Sequence, residues 1–353
     1  MDGSSEKMRI EMDSLAERAY EHYKYYQVEE ALSIYRRAYD IAAVIEDREK
    51  MMKYRQWEGH CLHHLERFRE ASSVLMTLSQ TVAIAPHEYF SSVVDQVDIA
   101  IKLPLALPKI KSLLHEAYRI MREYSLQTSK SVVLIQESNL FRMRYDYKRA
   151  LEKALEALAS HHNDAKTRYN KLVYYRGILD NLTSLNSVPE IKVWLLELQE
   201  CDTDRTNSKE IIFLGFSSEV AILEGKAIEA FDYAKQCIIQ ERKITYDSFS
   251  SLRLVVKAGI MADRLNEIRS FLAEMLSLRR TECKNRRYQI YLYCGDYYTA
   301  LFRQKREVQY INCAKKYYNR ARNIGIEIDS LFDCNGRQME ISQRLEYVDK
   351  LSE

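Results

Sequence analysis

Val28-Glu29-Glu30-Ala31-Leu32-Ser33-Ile34-Tyr35-Arg36-Arg37-Ala38 reads as one face of an amphipathic helix. Val28, Ala31, Tyr35 and Ala38 stand at −3, 0, +4 and +7 around Ala31, which places them on a single stripe at about 3.6 residues per turn. The stripe recurs around Ala71, Ile110, Ala150, Ile191, Ala230, Ile268 and Ala314, with centres about forty residues apart. The −3 positions are Phe68, Leu107, Tyr147, Val188, Ala227, Leu265 and Ile311. The +4 positions are Leu75, Leu114, Ala154, Leu195, Ala234, Leu272 and Tyr318, and the +7 positions are Leu78, Ala117, Ala157, Leu198, Cys237, Met275 and Ala321. None of these is polar although only 46% of the chain is hydrophobic, so chance does not account for the pattern. The chain is an array of eight repeats.

A forty-residue period leaves room for a second helix upstream of each stripe. In four repeats a small residue precedes the centre by twelve positions: Ala19, Gly59, Ser138 and Ser218. A small side chain there lets the two helices cross closely. This arrangement resembles the tetratricopeptide (TPR) pattern, best in repeat 1 (Ala19, Tyr23, Ala31, Tyr35, Ala38) and repeat 2 (Gly59, Phe68, Ala71). The period is longer than the usual TPR spacing and the consensus Trp and terminal Pro are mostly missing, which longer helices with degenerate packing explain. HEAT and armadillo repeats share the period; the small-residue positions favour TPR-like packing. The expected fold is all-α, an α-solenoid of about eight antiparallel helix hairpins. Expected boundaries are a frayed start at 1–8 and repeats near 9–46, 47–85, 86–126, 127–163, 164–203, 204–243, 244–282 and 283–325. A capping helix over 326–353 follows, with Ile341, Leu345, Val348 and Leu351 as its apolar stripe.

Composition agrees. Nine Gly and four Pro in 353 residues suit long helices, and Pro108 and Pro189 both fall two before a centre, where a helix's first turn tolerates proline. A net charge of +2 with 29% charged residues points neither to disorder nor to a strongly polarised surface. Seven cysteines, an odd number and scattered, suggest a reducing compartment rather than a disulfide framework. No secretory leader or membrane-spanning run is read from the sequence, so a cytoplasmic location is expected.

No Gly-rich phosphate loop, nucleophile elbow, His-Glu-x-x-His or paired Cys-x-x-Cys occurs, which points to a non-enzymatic chain without cofactor or metal. His60-Cys61-Leu62-His63-His64 offers half a metal site at most, because zinc needs three or four ligands. Tyrosine is the outlier, 26 residues against 10 Phe and 2 Trp, and part of it suits an interaction surface. In TPR arrays the first helix of each repeat lines the concave face. By that resemblance the groove candidates are Tyr20, Tyr23 and Lys24 (repeat 1), Gln56, His60, His63 and His64 (repeat 2), Asn139 and Arg142 (repeat 4), and Arg253 and Lys257 (repeat 7). Chaperone-binding TPR domains hold a terminal carboxylate with Lys and Asn at set places; here Ala16, Tyr20, Gln56 and His60 stand there, so that activity is not implied. Arg279, Arg280, Lys284, Arg286 and Arg287 form the densest basic run, followed by Tyr288, Tyr291, Tyr293, Tyr297 and Tyr298, a candidate patch for nucleic acid or an acidic protein. The polar segment 201–208 is the expected hinge between two halves of four repeats.

The function these features imply is a protein–protein interaction scaffold, adaptor or regulatory subunit that holds a protein or peptide segment in the groove. The alternatives are a peptide-sensing regulator, since length and repeat content resemble bacterial peptide-sensing TPR receptors, and nucleic-acid binding through the basic face of repeats 7 and 8. The receptors' usual N-terminal DNA-binding helix-turn-helix is not recognisable.

Overall fold

The computed structural model describes residues 3–25, 27–79, 85–126, 130–161, 171–202, 206–244 and 249–352. Among them are seventeen α-helices, a 3-10 turn at Leu278–Arg280 and no strand. The first three hairpins are α1 (Gly3–Lys24) with α2 (Val28–Val44), α3 (Arg48–His64) with α4 (Phe68–Ser79), and α5 (Pro86–Lys102) with α6 (Leu107–Glu123). The next three are α7 (Lys130–Met143) with α8 (Tyr147–Ala159), α9 (Lys171–Ser184) with α10 (Val188–Glu200), and α11 (Thr206–Leu223) with α12 (Ala227–Glu241). Two more follow, α13 (Phe249–Met261) with α14 (Arg269–Ser277) and α15 (Lys284–Lys305) with α16 (Val308–Phe332), before the single α17 (Gly336–Ser352).

The stripe read from the sequence is the core. All eight central residues, Ala31, Ala71, Ile110, Ala150, Ile191, Ala230, Ile268 and Ala314, are 0% exposed, which fixes the register of every second helix. The small residues twelve positions earlier meet them. An added Cβ on Gly59 would lie 2.7 Å from a Leu75 methyl, so any larger residue at that crossing must displace Leu75. Where serine replaces it, the hydroxyl is used: Ser138 Oγ donates to the Ala150 carbonyl at 2.7 Å and Ser218 Oγ to the Ala230 carbonyl at 2.8 Å. Both serines are buried, so each hydroxyl satisfies itself on the carbonyl of the very residue it packs over.

The turn inside a hairpin also repeats. Glu66, Tyr145, Asn186, Gly225 and Asp263 each stand five before a stripe centre, and all have positive φ. Glu66 and Tyr145 are not the residue types that announce a left-handed turn, unlike Gly225, Asn186 and Asp263, so the regularity was only partly visible in the sequence.

Contacts divide the chain into an N-terminal body, Met1–Gln136, and a C-terminal body, Glu137–Glu353, with the division inside α7. It does not fall at 201–208. Residues 203–205 lie outside the described residues, but α10 packs on α11 across that loop, and Lys209 Nζ donates to the carbonyls of Gln199 and Cys201, each at 3.1 Å. Those bonds tie the end of α10 to the start of α11.

Both ends differ from expectation. Helix α1 begins at Gly3, inside the stretch expected to fray, and buries Met12, Leu15 and Ala19. The cap is shorter than 326–353, because α16 continues to Phe332: Ala314, Tyr318, Ala321, Gly325, Ile328 and Phe332 prolong one buried stripe by alternate steps of three and four. Asp333, at φ 53°, ends it. Helix α17 then buries Ile341 and Val348 fully, with Leu345 and Leu351 half-buried.

Candidate functional site

The first helices of the repeats carry the candidate residues, and each body holds its own group. In the N-terminal body, α1 presents Tyr20 and Tyr23 from its last turns and α3 presents Trp57, His60 and His64, which share a stripe at +3 and +7. Trp57 is the centre of this group. Tyr35 of α2 stacks beneath it at 5.4 Å with rings 11° apart, while Tyr20 and Tyr23 meet it edge-on at 5.7 and 5.2 Å. His60 meets the indole edge at 5.4 Å, and Tyr23 meets His64 at 5.2 Å. Tyr20 is 48% exposed and His64 and Lys24 are exposed, so the group has a solvent side; Lys24 Nζ lies 5.9 Å over the Tyr25 ring. Burial pushes the Tyr35 hydroxyl well above the ordinary tyrosine range, with the Cys61 thiol and Tyr23 adding to it, so Tyr35 is the neutral floor of the cluster. Sequence reading brought Tyr20, Tyr23, His60 and His64 together but missed Trp57, which the helical spacing to His60 and His64 could have supplied.

Gln56, His60 and His63 turn inward. Gln56 and His60 are buried. His60 Nδ1 lies 2.6 Å from Asp95 Oδ2, both side chains at most 4% exposed, and His63 Nε2 lies 2.5 Å from Asp98 Oδ2. Lys102 Nζ completes the second group, 2.8 Å from the same Asp98 oxygen. Burial and the Lys102 ammonium lower the His63 pKa against the pull of Asp98, so the imidazole is neutral at pH 7. Burial alone would raise Asp98, but Lys102 and His63 outweigh it and hold that carboxyl well below the usual range. The two pairs bolt α3 to α5, the first helices of adjacent repeats. Among the described residues no group of three or more His, Cys, Asp or Glu side chains is placed to hold a metal ion.

In the C-terminal body the same kind of bolt recurs. Arg142 of α7 reaches Asp180 of α9 at 2.5 Å, with Asn139 Oδ1 3.5 Å from its other nitrogen. Arg253 and Lys257 of α13 converge on Glu219 of α11, Lys257 at 2.6 Å and Arg253 at 3.4 Å, and the Glu219 carboxylate is 6% exposed. Burial opposes the Arg253 charge, but Tyr293, Glu219 and Asp180 outweigh it. The acidic partners Asp95, Asp98, Asp180 and Glu219 were not visible as such in the sequence, since each lies 34–38 residues from its base on the neighbouring repeat and only the repeat register aligns them.

The basic run is divided between the 3-10 turn and the start of α15, and several of its members are engaged within the fold. Lys284 is paired with Glu327, Arg286 lies 4.7 Å over the Phe249 ring, and Arg287 is half-buried. Arg279 and Arg280 are exposed on the 3-10 turn, where Arg279 Nη1 donates to the Leu276 carbonyl at 3.0 Å. No helix among the described residues is long and apolar enough to cross a membrane.

The chain matches no protein-family model and no curated protein sequence. Among solved structures it is similar to a Rap protein complexed with competence and sporulation factor, with a TM-score of 0.58 and 10% identity over 97% of this chain and 99% of that one. A TPR domain of P58(IPK) aligns with 97% of this chain and 98% of that one, at 13% identity and a TM-score of 0.32. The helix pairs, their fully buried centres and the full-length likeness to the Rap structure give this chain a TPR-like helical-repeat fold.

Proposed function

We propose that this protein is a non-enzymatic recognition solenoid whose N-terminal body docks an extended segment of a protein or peptide partner on the Tyr20–Tyr23–Trp57–His64 face. The observation that carries this reading is the construction of that face. Four aromatic rings from three helices, Tyr20, Tyr23, Tyr35 and His60, surround Trp57, one of them is nearly half exposed, and Lys24, next to Tyr23 in the chain, is exposed. Tyr and Trp in such settings supply large rigid contact area with little entropy to lose, and they dominate interface energetics. His60 and His63 support the face from behind through Asp95 and Asp98 rather than touching the partner. The Rap protein of similar fold was seen with a bound factor, which favours a second, linked reading: a regulator that changes conformation on binding its ligand.

The test uses peptides selected from a random displayed library on the full chain, read by Trp57 emission in a Trp194→Phe background. Selected peptides are expected to shift Trp57 emission, and Tyr20→Ala with Tyr23→Ala to weaken them about tenfold or more, the cost of losing one aromatic anchor. Peptides that bind equally well to the double variant and leave Trp57 unmoved would remove this face from the proposal. Compaction on adding a selected peptide, measured by small-angle scattering, would favour the regulator over a rigid scaffold.

A further inference from the structure

Within the C-terminal body the chain returns on itself. The turn between α7 and α8 (143–147) meets the turn between α16 and α17 (332–337), although the paired residues are 188 to 195 positions apart. Arg337 is the centre of the contact. Its guanidinium donates to the Met143 carbonyl at 3.2 Å, to Asn285 Oδ1 at 3.1 and 3.2 Å and to Asp329 Oδ1 at 2.9 Å. It also lies 5.2 Å over the Tyr145 ring and 5.9 Å over the Tyr288 ring. The Arg337 and Asp329 side chains are 3% and 0% exposed. The second Asp329 oxygen accepts from the Gln338 backbone N–H at 3.0 Å. Tyr288 and Tyr145 share Glu340 Oε2, at 2.6 and 3.4 Å, and Arg144 Nε donates to the Phe332 carbonyl at 3.0 Å.

Both corners are shaped for this meeting. Met143 ends α7, so its carbonyl has no partner inside the helix, and a cation at a helix C-terminus is favoured by the dipole. Tyr145 holds φ 64°, a conformation few bulky residues adopt, and its ring lies where a Cβ on Gly336 would come within 2.4 Å.

The chemistry differs from that of the hairpin interfaces. Those bury Ala, Leu, Ile and Val, and opening one returns apolar surface to water with nothing to offset the loss. Opening the seam keeps the Arg337–Asp329 pair, since both stand on the α16–α17 corner, and breaks the guanidinium's bond to the Met143 carbonyl and its contact with the Tyr145 ring, for which water is a fair substitute at the charged group. A seam built this way separates at lower cost than its number of bonds suggests.

We infer that this contact is a clasp: the C-terminal body opens and closes at the seam between 143–147 and the α16–α17 corner, with Arg337 the positioning residue that holds the closed form. The inference is independent of what the N-terminal face binds. Hydrogen exchange on the full chain, read by mass spectrometry, tests it. In the wild type, 143–147 and α17 should exchange together and faster than α11 and α12, as a sub-global opening. Arg337→Met removes the clasp's donors. Gly336→Val wedges the Tyr145 ring aside without orphaning a buried charge, and is the variant to read if Arg337→Met fails to fold. Either change should speed exchange at 143–147 and α17 about tenfold or more while α11 and α12 stay protected. The inference is overturned if Gly336→Val leaves exchange at both corners unchanged. It is equally overturned if the wild-type corners exchange as slowly as α11–α12, or if Gly336→Val deprotects α11 and α12 together with the corners, because the contact would then be part of the core.

Discussion

Each body contains a buried carboxylate with a base against it, and the two are put to different use. In the N-terminal body Asp98, with His63 and Lys102, joins helices of adjacent repeats, and the bond repeats a relation the sequence period already contains. In the C-terminal body Asp329 and Arg337 lie close in sequence, yet their shared environment is completed by Met143 and Tyr145 from the body's first hairpin. The first arrangement strengthens a stack that apolar stripes have already built. The second sets where the stack ends, because nothing in the repeat period requires the last helix to meet the fourth hairpin.

The two tryptophans make this comparison measurable, since Trp57 reports on the N-terminal body and Trp194 on the C-terminal body. The largest effect is expected from Asp329→Ala, which leaves the Arg337 guanidinium buried without its counter-ion at a cost of about 3–5 kcal/mol. The urea midpoint followed by Trp194 in a Trp57→Phe background should fall sharply while that of Trp57 in a Trp194→Phe background holds. Equal losses at both reporters would mean that the bodies unfold as one. Gly59→Ala is the counterpart in the N-terminal body. Its new methyl must displace Leu75, an overpacking cost of about 1–3 kcal/mol that should appear at Trp57 and not at Trp194. Ser218→Ala removes one donor to the Ala230 carbonyl and should cost about 1 kcal/mol at Trp194. A neutral result would mean that the packing of the small side chain, not its hydroxyl, is what the position requires.

Acid should affect the N-terminal body through its own pairs. The folded His63 has a lowered pKa, so the unfolded chain binds a proton first, at the ordinary imidazole value of about 6.5. Stability at this site is therefore full above that value and declines as pH falls through it. Asp98, depressed when folded, contributes stability above the ordinary aspartate value of about 3.9, and loses it as pH falls from there towards its lower folded pKa. The urea midpoint at Trp57 should fall between pH 7.5 and 5.5, and His63→Gln should flatten that slope. A slope unchanged in His63→Gln would place the titration on another group.

Much of the fold was legible because a helix period leaves its mark on composition one residue at a time. The eight centres identified by spacing are all fully buried, and the twelve-residue offset to Gly59, Ser138 and Ser218 marks real helix crossings. The site was legible only in part. Tyr20 and Tyr23 gather around Trp57 with His64 against Tyr23, but Gln56 and His63 lie inward, His60 is buried between the indole and Asp95, and Arg142, Arg253 and Lys257 meet carboxylates of neighbouring repeats. Whether a polar side chain on a first helix is free or paired depends on the residue facing it one repeat away, and the stripe of its own helix says nothing about that residue.

By itself the sequence determined the hairpin, its register and the number of times it is stacked, since these follow from 3.6-residue periodicity and the size of the residues at the crossing, both local properties. Tertiary structure alone decided the enclosure of Trp57, the division inside α7 and the return of Arg337 to Met143. Each of these depends on side chains that meet from different hairpins, and such a meeting leaves no pattern within any one repeat.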